Sequence, residues 1–108
     1  MDGFVVAQND EKEQPFSFQL EQNYPNPFNP STTIKYSIPS VSNVTIDVYN
    51  ILGKEVATLI SKKQSAGNYE IIFNSEKLAS GIYFYRLQTN ATTGSATNIV
   101  TKKMTVLK

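Results

Sequence analysis

The chain is 108 residues long, 40% hydrophobic and 18% charged, with a formal charge of +1. That length suits one domain and leaves no room for a catalytic domain beside a separate partner domain, and the composition is neither that of a disordered acidic tail nor that of a coiled coil. Histidine and cysteine are both absent, which excludes thiol nucleophiles, imidazole-dependent triads, Cys/His zinc sites, disulfide frameworks and haem ligation through either residue; the small charge offers no net field to attract nucleic acid.

Residues 1–17 read as a flexible acidic linker. From Asp2 to Glu21 there are five acids and one base, Lys12, and Asn9-Asp10-Glu11-Lys12-Glu13-Gln14 has no apolar residue to bury, so it cannot offset its ordering entropy. Phe4-Val5-Val6 is the one apolar stretch there, able to pair with a sheet edge or to belong to a preceding module. The N-terminus lacks the basic and apolar regions of a secretory leader, and no apolar run reaches the roughly 18 residues of a membrane-spanning helix. For a secreted protein, the leader is expected elsewhere in a longer parent chain.

Ile, Val, Phe, Tyr and Thr supply over a third of the residues, and such β-branched and aromatic side chains suit a pleated, half-buried surface. Asn23 to Ser31 contains Pro25, Pro27 and Pro30. Each proline fixes φ and removes a ladder donor, so the segment is expected as a rigid edge strand or a crossing between sheets, with Tyr24 and Phe28 plugging the end of a core. From Thr32 to Ile38, residues Thr32, Ile34, Tyr36 and Ile38 share a face, and from Ser42 to Asn50, Val44, Ile46 and Val48 do. Asn50-Ile51-Leu52-Gly53 reads as a turn with Gly53 at positive φ. Lys54 to Ile60 returns as a strand, although Val56, Leu59 and Ile60 also fit a helical period.

Tyr69, Ile71 and Phe73 mark the next inward face, with Glu70 and Ile72 outward. Asn74 to Ser80 is a corner. The strand from Gly81 to Gln88 is expected to point Tyr83, Tyr85 and Leu87 inward and Phe84 outward, and Leu78-Ala79-Ser80-Gly81-Ile82-Tyr83 resembles the tyrosine corner of immunoglobulin-like domains. The polar loop Thr89 to Thr97 leads to a last strand ending at Leu107. This rhythm predicts an all-β, seven-stranded antiparallel immunoglobulin/fibronectin-like β-sandwich.

No catalytic constellation emerges. Glu21, Asp47, Glu55, Glu70 and Glu76 fall at outward positions or in turns, the reverse of two carboxyls facing each other across a cleft. Asp47 beside Asn50 falls short of the six to eight oxygens of a calcium site, and the glycines are isolated rather than grouped in a phosphate loop. No catalytic residue, metal ligand or cofactor is therefore expected. Tyr49 and Phe84 are the aromatics best placed for stacking on a carbohydrate. The terminal run Thr101-Lys102-Lys103-Met104-Thr105-Val106-Leu107-Lys108 mixes strand formers with lysines, which either guard an edge from aggregation or offer basic handles to a receptor.

From Phe18 to Lys108 these residues resemble the type A C-terminal sorting domain of the type IX secretion system of Bacteroidetes-related Gram-negative bacteria. The resemblance is carried by Tyr24-Pro25-Asn26-Pro27-Phe28-Asn29-Pro30, Val44-Thr45-Ile46-Asp47-Val48-Tyr49-Asn50, Leu52-Gly53-Lys54-Glu55-Val56, Leu78-Ala79-Ser80-Gly81-Ile82-Tyr83-Phe84-Tyr85-Arg86-Leu87 and Lys102 to Lys108, in that order. It implies a non-catalytic sorting domain over 18–108, attached to an upstream passenger absent from these residues. In the family, the folded domain directs the passenger from the periplasm through an outer-membrane translocon, to secretion or the cell surface, and is often then removed. Carried over by motif, the recognition residues are Pro25, Asn26, Pro27, Gly81, Tyr83, Lys102, Lys103 and Lys108, with the translocon and its sorting proteins as partners. A carbohydrate-binding module and an inert immunoglobulin-like spacer of a secreted enzyme, like that of flagellar hook-capping proteins, are the alternatives.

Overall fold

A computed structural model describes residues 16–94 and 96–108; the linker expected over 1–17, including Phe4-Val5-Val6, lies outside the described residues apart from Phe16 and Ser17. The seven strands are β1 (Gln19–Leu20), β2 (Ser31–Ile38), β3 (Ser42–Tyr49), β4 (Glu55–Gln64), β5 (Gly67–Asn74), β6 (Gly81–Ala91) and β7 (Thr97–Val106). They form a three-stranded sheet in the order β1-β2-β5 and a four-stranded sheet in the order β4-β3-β6-β7. Every strand pair within the sheets is antiparallel. The arrangement is an immunoglobulin-type sandwich with its fourth strand carried on the second sheet, as in the fibronectin variant.

The alternation read from the sequence is the alternation that packs. Ile34, Tyr36, Ile38 and Phe73 from one sheet meet Val44, Ile46, Val48, Tyr85, Leu87, Met104 and Val106 from the other, all buried. Ile72 points outward and is 75% exposed.

β4 departs from strict alternation for a visible reason. Ile46 pairs with Ile60 and Asp47 with Thr58, then Val48 with Ala57 and Tyr49 with Glu55, so Leu59 and Val56 are extra residues in two bulges. Each bulge re-phases the strand, and Val56, Ala57, Leu59 and Ile60 all become half-buried. That is why the segment also fits a helical period while forming a strand. The turn before it closes as expected: Gly53 takes φ 83°, its N–H donates to the Asn50 carbonyl at 2.9 Å, and Asn50 Oδ1 accepts from the amides of Leu52 and Lys54.

Three expectations need correction. The Pro-rich segment is not itself a strand; the seventh strand is the two-residue β1 upstream of it, and residues 25–27 bend instead. Tyr24 does not plug the core but is 80% exposed, whereas Phe28 is 2% exposed. Asp47 stands on the outer face yet is buried, because its row is covered: Thr58 Oγ1 donates to Asp47 Oδ1 at 2.9 Å, and Arg86 is its cross-strand neighbour.

Candidate functional site

The Pro-rich segment crosses from one sheet to the other. Tyr24 exchanges two backbone hydrogen bonds with Thr33 of β2, at 3.0 and 2.9 Å. Four residues later, the Phe28 N–H donates to the Thr105 carbonyl at 3.1 Å and the Leu107 N–H donates to the Phe28 carbonyl at 3.0 Å, a parallel bridge onto the end of β7. The peptide bonds preceding Pro25 and Pro27, between these anchors, and that preceding Pro30, just past the second, are cis. Proline suits such a crossing because its missing N–H leaves no unpaired donor.

Side chains complete a clasp over the terminal strand. Asn26 Oδ1 accepts the Thr105 N–H at 2.9 Å, and Gln22 Nε2 donates to the Lys103 carbonyl at 2.7 Å. The Phe28 ring enters the core edge-on to Phe73, with centroids 6.1 Å apart. Behind the clasp sits a buried polar network. Asn23, 2% exposed, donates through Nδ2 to the Pro25 carbonyl and to Thr32 Oγ1, and Thr32 Oγ1 donates to the Pro25 carbonyl. Tyr85 reaches across from β6: its hydroxyl donates to the Glu21 carbonyl at 2.7 Å and accepts the Asn23 N–H at 2.8 Å. Burial pushes this phenol up to about 12, the bond from Asn23 opposing the shift.

The corner before β6 flanks the terminal strand on its other side. The Tyr83 hydroxyl donates to the Ala79 carbonyl at 2.8 Å, the tyrosine-corner bond expected from the sequence. Gly81 adopts φ 153°, rarely accessible to L side chains, with room for no more than ordinary contact to Tyr83. Beyond β7, the Lys108 N–H donates to Ser80 Oγ at 2.9 Å and its Nζ to the Glu76 carbonyl at 2.8 Å.

The sequence-predicted residues thus occupy distinct places around one end of the sandwich. Pro25, Asn26 and Pro27 are exposed on the clasp; Gly81 and Tyr83 build the corner, with Tyr83 buried; Lys108 ties the terminus to that corner. Lys102 and Lys103 are consecutive on β7 and therefore point to opposite faces: Lys102 is half-buried on the Met104 face, and Lys103 is exposed outside. Gln22, Asn23, Tyr85 and Thr105 also hold the clasp. Of these, only the inward direction of Tyr85 was legible from alternation; its hydroxyl partners lie more than sixty positions away in sequence.

On the outer face of the four-stranded sheet, Tyr49 and Phe84 are cross-strand neighbours, but the Arg86 guanidinium lies over the Tyr49 ring, 4.9 Å from its centroid. A sugar would have to displace this cation to stack there. Among the described residues, no group of three or more His, Cys, Asp or Glu is placed to hold a metal ion, and no helix is long and apolar enough to cross a membrane. What the surface presents around β7 is backbone edge, exposed prolines and lysines.

The fold is thus an all-β sandwich whose terminal strand is clasped at its end. Residues 22–103 match the secretion system C-terminal sorting domain, and the chain belongs to that family. Such a domain is a non-catalytic signal module of the type IX secretion system; it targets proteins for secretion across the outer membrane of Bacteroidetes and engages the sorting machinery of that system. Among solved structures, the fold is similar to the dimeric latent PorU from Porphyromonas gingivalis, with a TM-score of 0.66 and 24% identity over 89% of this chain. The chain spans 10% of that protein's length. No curated protein matches it.

Proposed function

We propose that the clasped end of β7 is the part of the domain that the sorting machinery recognises. The recognised residues are Pro25, Asn26 and Pro27 on the clasp, Lys102 and Lys103 on opposite faces of the strand, and Lys108 at the tip. Gly81 and Tyr83 position this strand end by shaping the corner against which β7 ends. The partner is an outer-membrane translocon with its associated sorting proteins, and the cargo is a passenger joined upstream, delivered to the medium or the cell surface. The observation that carries the reading is the convergence of three sequence-distant motifs on one strand end, through the bonds Asn26–Thr105, Phe28–Leu107 and Ser80–Lys108.

The lysines separate recognition from folding. Lys103 is exposed and Lys102 only half-buried, so the double variant Lys102→Ala, Lys103→Ala is expected to stay within about 1 kcal/mol of the parent stability. Export of a fused reporter should nevertheless fall at least tenfold. Normal export of a folded double variant would reduce the lysines to guards of a sheet edge.

A further inference from the structure

The outward edge of β7 is occupied at its C-terminal end, at Thr105 and the Lys103 carbonyl. Thr105 sends both its N–H and C=O to the clasp. Alternation in the antiparallel ladder therefore aims the same groups of Ile99, Thr101 and Lys103 away from β6. Gln22 takes the Lys103 carbonyl. Among the described residues, the Ile99 and Thr101 peptide groups and the Lys103 N–H have no backbone partner.

This open stretch carries no bulge. β6 and β7 run in register from Gly81↔Val106 to Asn90↔Thr97 without a shift, whereas the opposite edge strand, β4, carries the two bulges. An unbulged edge with free peptide groups is a template for another strand. Thr97, Asn98, Ile99, Thr101 and Lys103 are all exposed, Ile99 by 55%.

Charge selects the occupant. Lys102 and Lys103 put one ammonium on each face of the strand, and their partners on β6 are Tyr85 and Phe84, so β6 supplies neither with a carboxylate. A second copy pairing through its own β7 would bring the sequence TNIVTKKMTV, which contains no acid. We propose that the open edge from Ile99 to Lys103 accepts an extended strand of a partner protein bearing adjacent acidic residues, one on each face. This rests on the terminal strand being the recognised element and names the chemistry of what binds it.

The test titrates the isotope-labelled 108-residue chain with a capped hexapeptide of sequence Thr-Val-Glu-Glu-Val-Thr and with its Lys-Lys counterpart, read by amide shifts and exchange rates. The acidic peptide should shift and protect the amides of Ile99, Thr101 and Lys103, and bind at least tenfold more tightly than the basic one. Thr101→Pro removes an outward donor that β6 does not use, which an edge strand tolerates; it should abolish binding while the chain stays folded. Lys102→Glu with Lys103→Glu should invert the preference. Equal affinity for both peptides, shifts mapping elsewhere, or binding that survives Thr101→Pro would each overturn the proposal. So would protection of the same amides without peptide in a concentration-dependent dimer, which would assign the edge to a second copy. Export of a wild-type fusion is measured separately, so sorting can stand where this edge proposal fails.

Discussion

Truncation after Lys103 is expected to unfold the domain. The cut removes Met104 and Val106, which are 0% and 1% exposed, and burial of each side chain is worth about 1.5–3 kcal/mol. It also strands the clasp: Phe28 loses the partners of both its N–H and its C=O, and Asn26 loses the Thr105 amide. Phe28 is itself a core residue, so loosening its backbone spreads the damage to its contact with Phe73. Together these losses rival a total stability of about 5–15 kcal/mol. Removing Lys108 alone deletes only exposed bonds to Ser80 and Glu76 and should cost about 1 kcal/mol or less. Circular dichroism during heating should show a cooperative transition for the one-residue truncation and none for the longer one. A cooperative melt of the longer truncation near the parent temperature would mean that the terminal strand is peripheral to the core. The practical corollary is that failed export of a tail-deleted protein reports unfolding, and only the lysine variants address recognition.

Tyr85→Phe is expected to destabilise the domain by about 2–4 kcal/mol. The substitution keeps the ring but leaves the Asn23 N–H and the Glu21 carbonyl without the hydroxyl that satisfies both. A buried polar group left unpaired costs about 1–3 kcal/mol. The same phenol sets a response to alkali. It is held neutral in the fold, with its pKa raised to about 12, chiefly by burial, whereas in the unfolded chain it titrates near pH 10. The folded state binds this proton more strongly, so the contribution is full below about pH 10 and is lost as pH rises through about 12. At roughly 1.4 kcal/mol per unit, about 3 kcal/mol disappears across that window. Tyr36 adds to the trend, because burial raises its pKa too, against the lowering effect of its bond to Gln64. Urea unfolding at pH 7 should show the loss in Tyr85→Phe, and the variant's stability should fall less steeply than the parent's between pH 10 and pH 12. An unchanged midpoint at pH 7 would show that the clasp does not depend on the phenol.

Much of the fold was legible because alternation is a local signal. Ile34 to Ile38, Val44 to Val48 and Tyr83 to Leu87 each declare a face within a few residues, and Gly53 and Gly81 mark positions where other residues strain the backbone. The tyrosine corner was legible for the same reason, since Tyr83 and Ala79 are four positions apart. The bulges of β4 were not, because they depend on how β3 presents its ladder. The site was legible only as separate motifs. Nothing local to Asn26 announces the Thr105 amide, 79 positions away, and nothing near Gln22 announces the Lys103 carbonyl. Consecutive lysines look like one patch in sequence, yet the strand's period of two sends them to opposite faces.

The central claim is that this folded sandwich, with its clasped terminal strand, carries the address. Its most direct measurement fuses the 108-residue chain behind a reporter bearing an inner-membrane signal peptide, in a bacterium that possesses the type IX machinery, and assays cell fractions. The reporter should leave the periplasm when the chain is attached and remain there when it is not. Retention of a protease-resistant, folded fusion in the periplasm would contradict the claim.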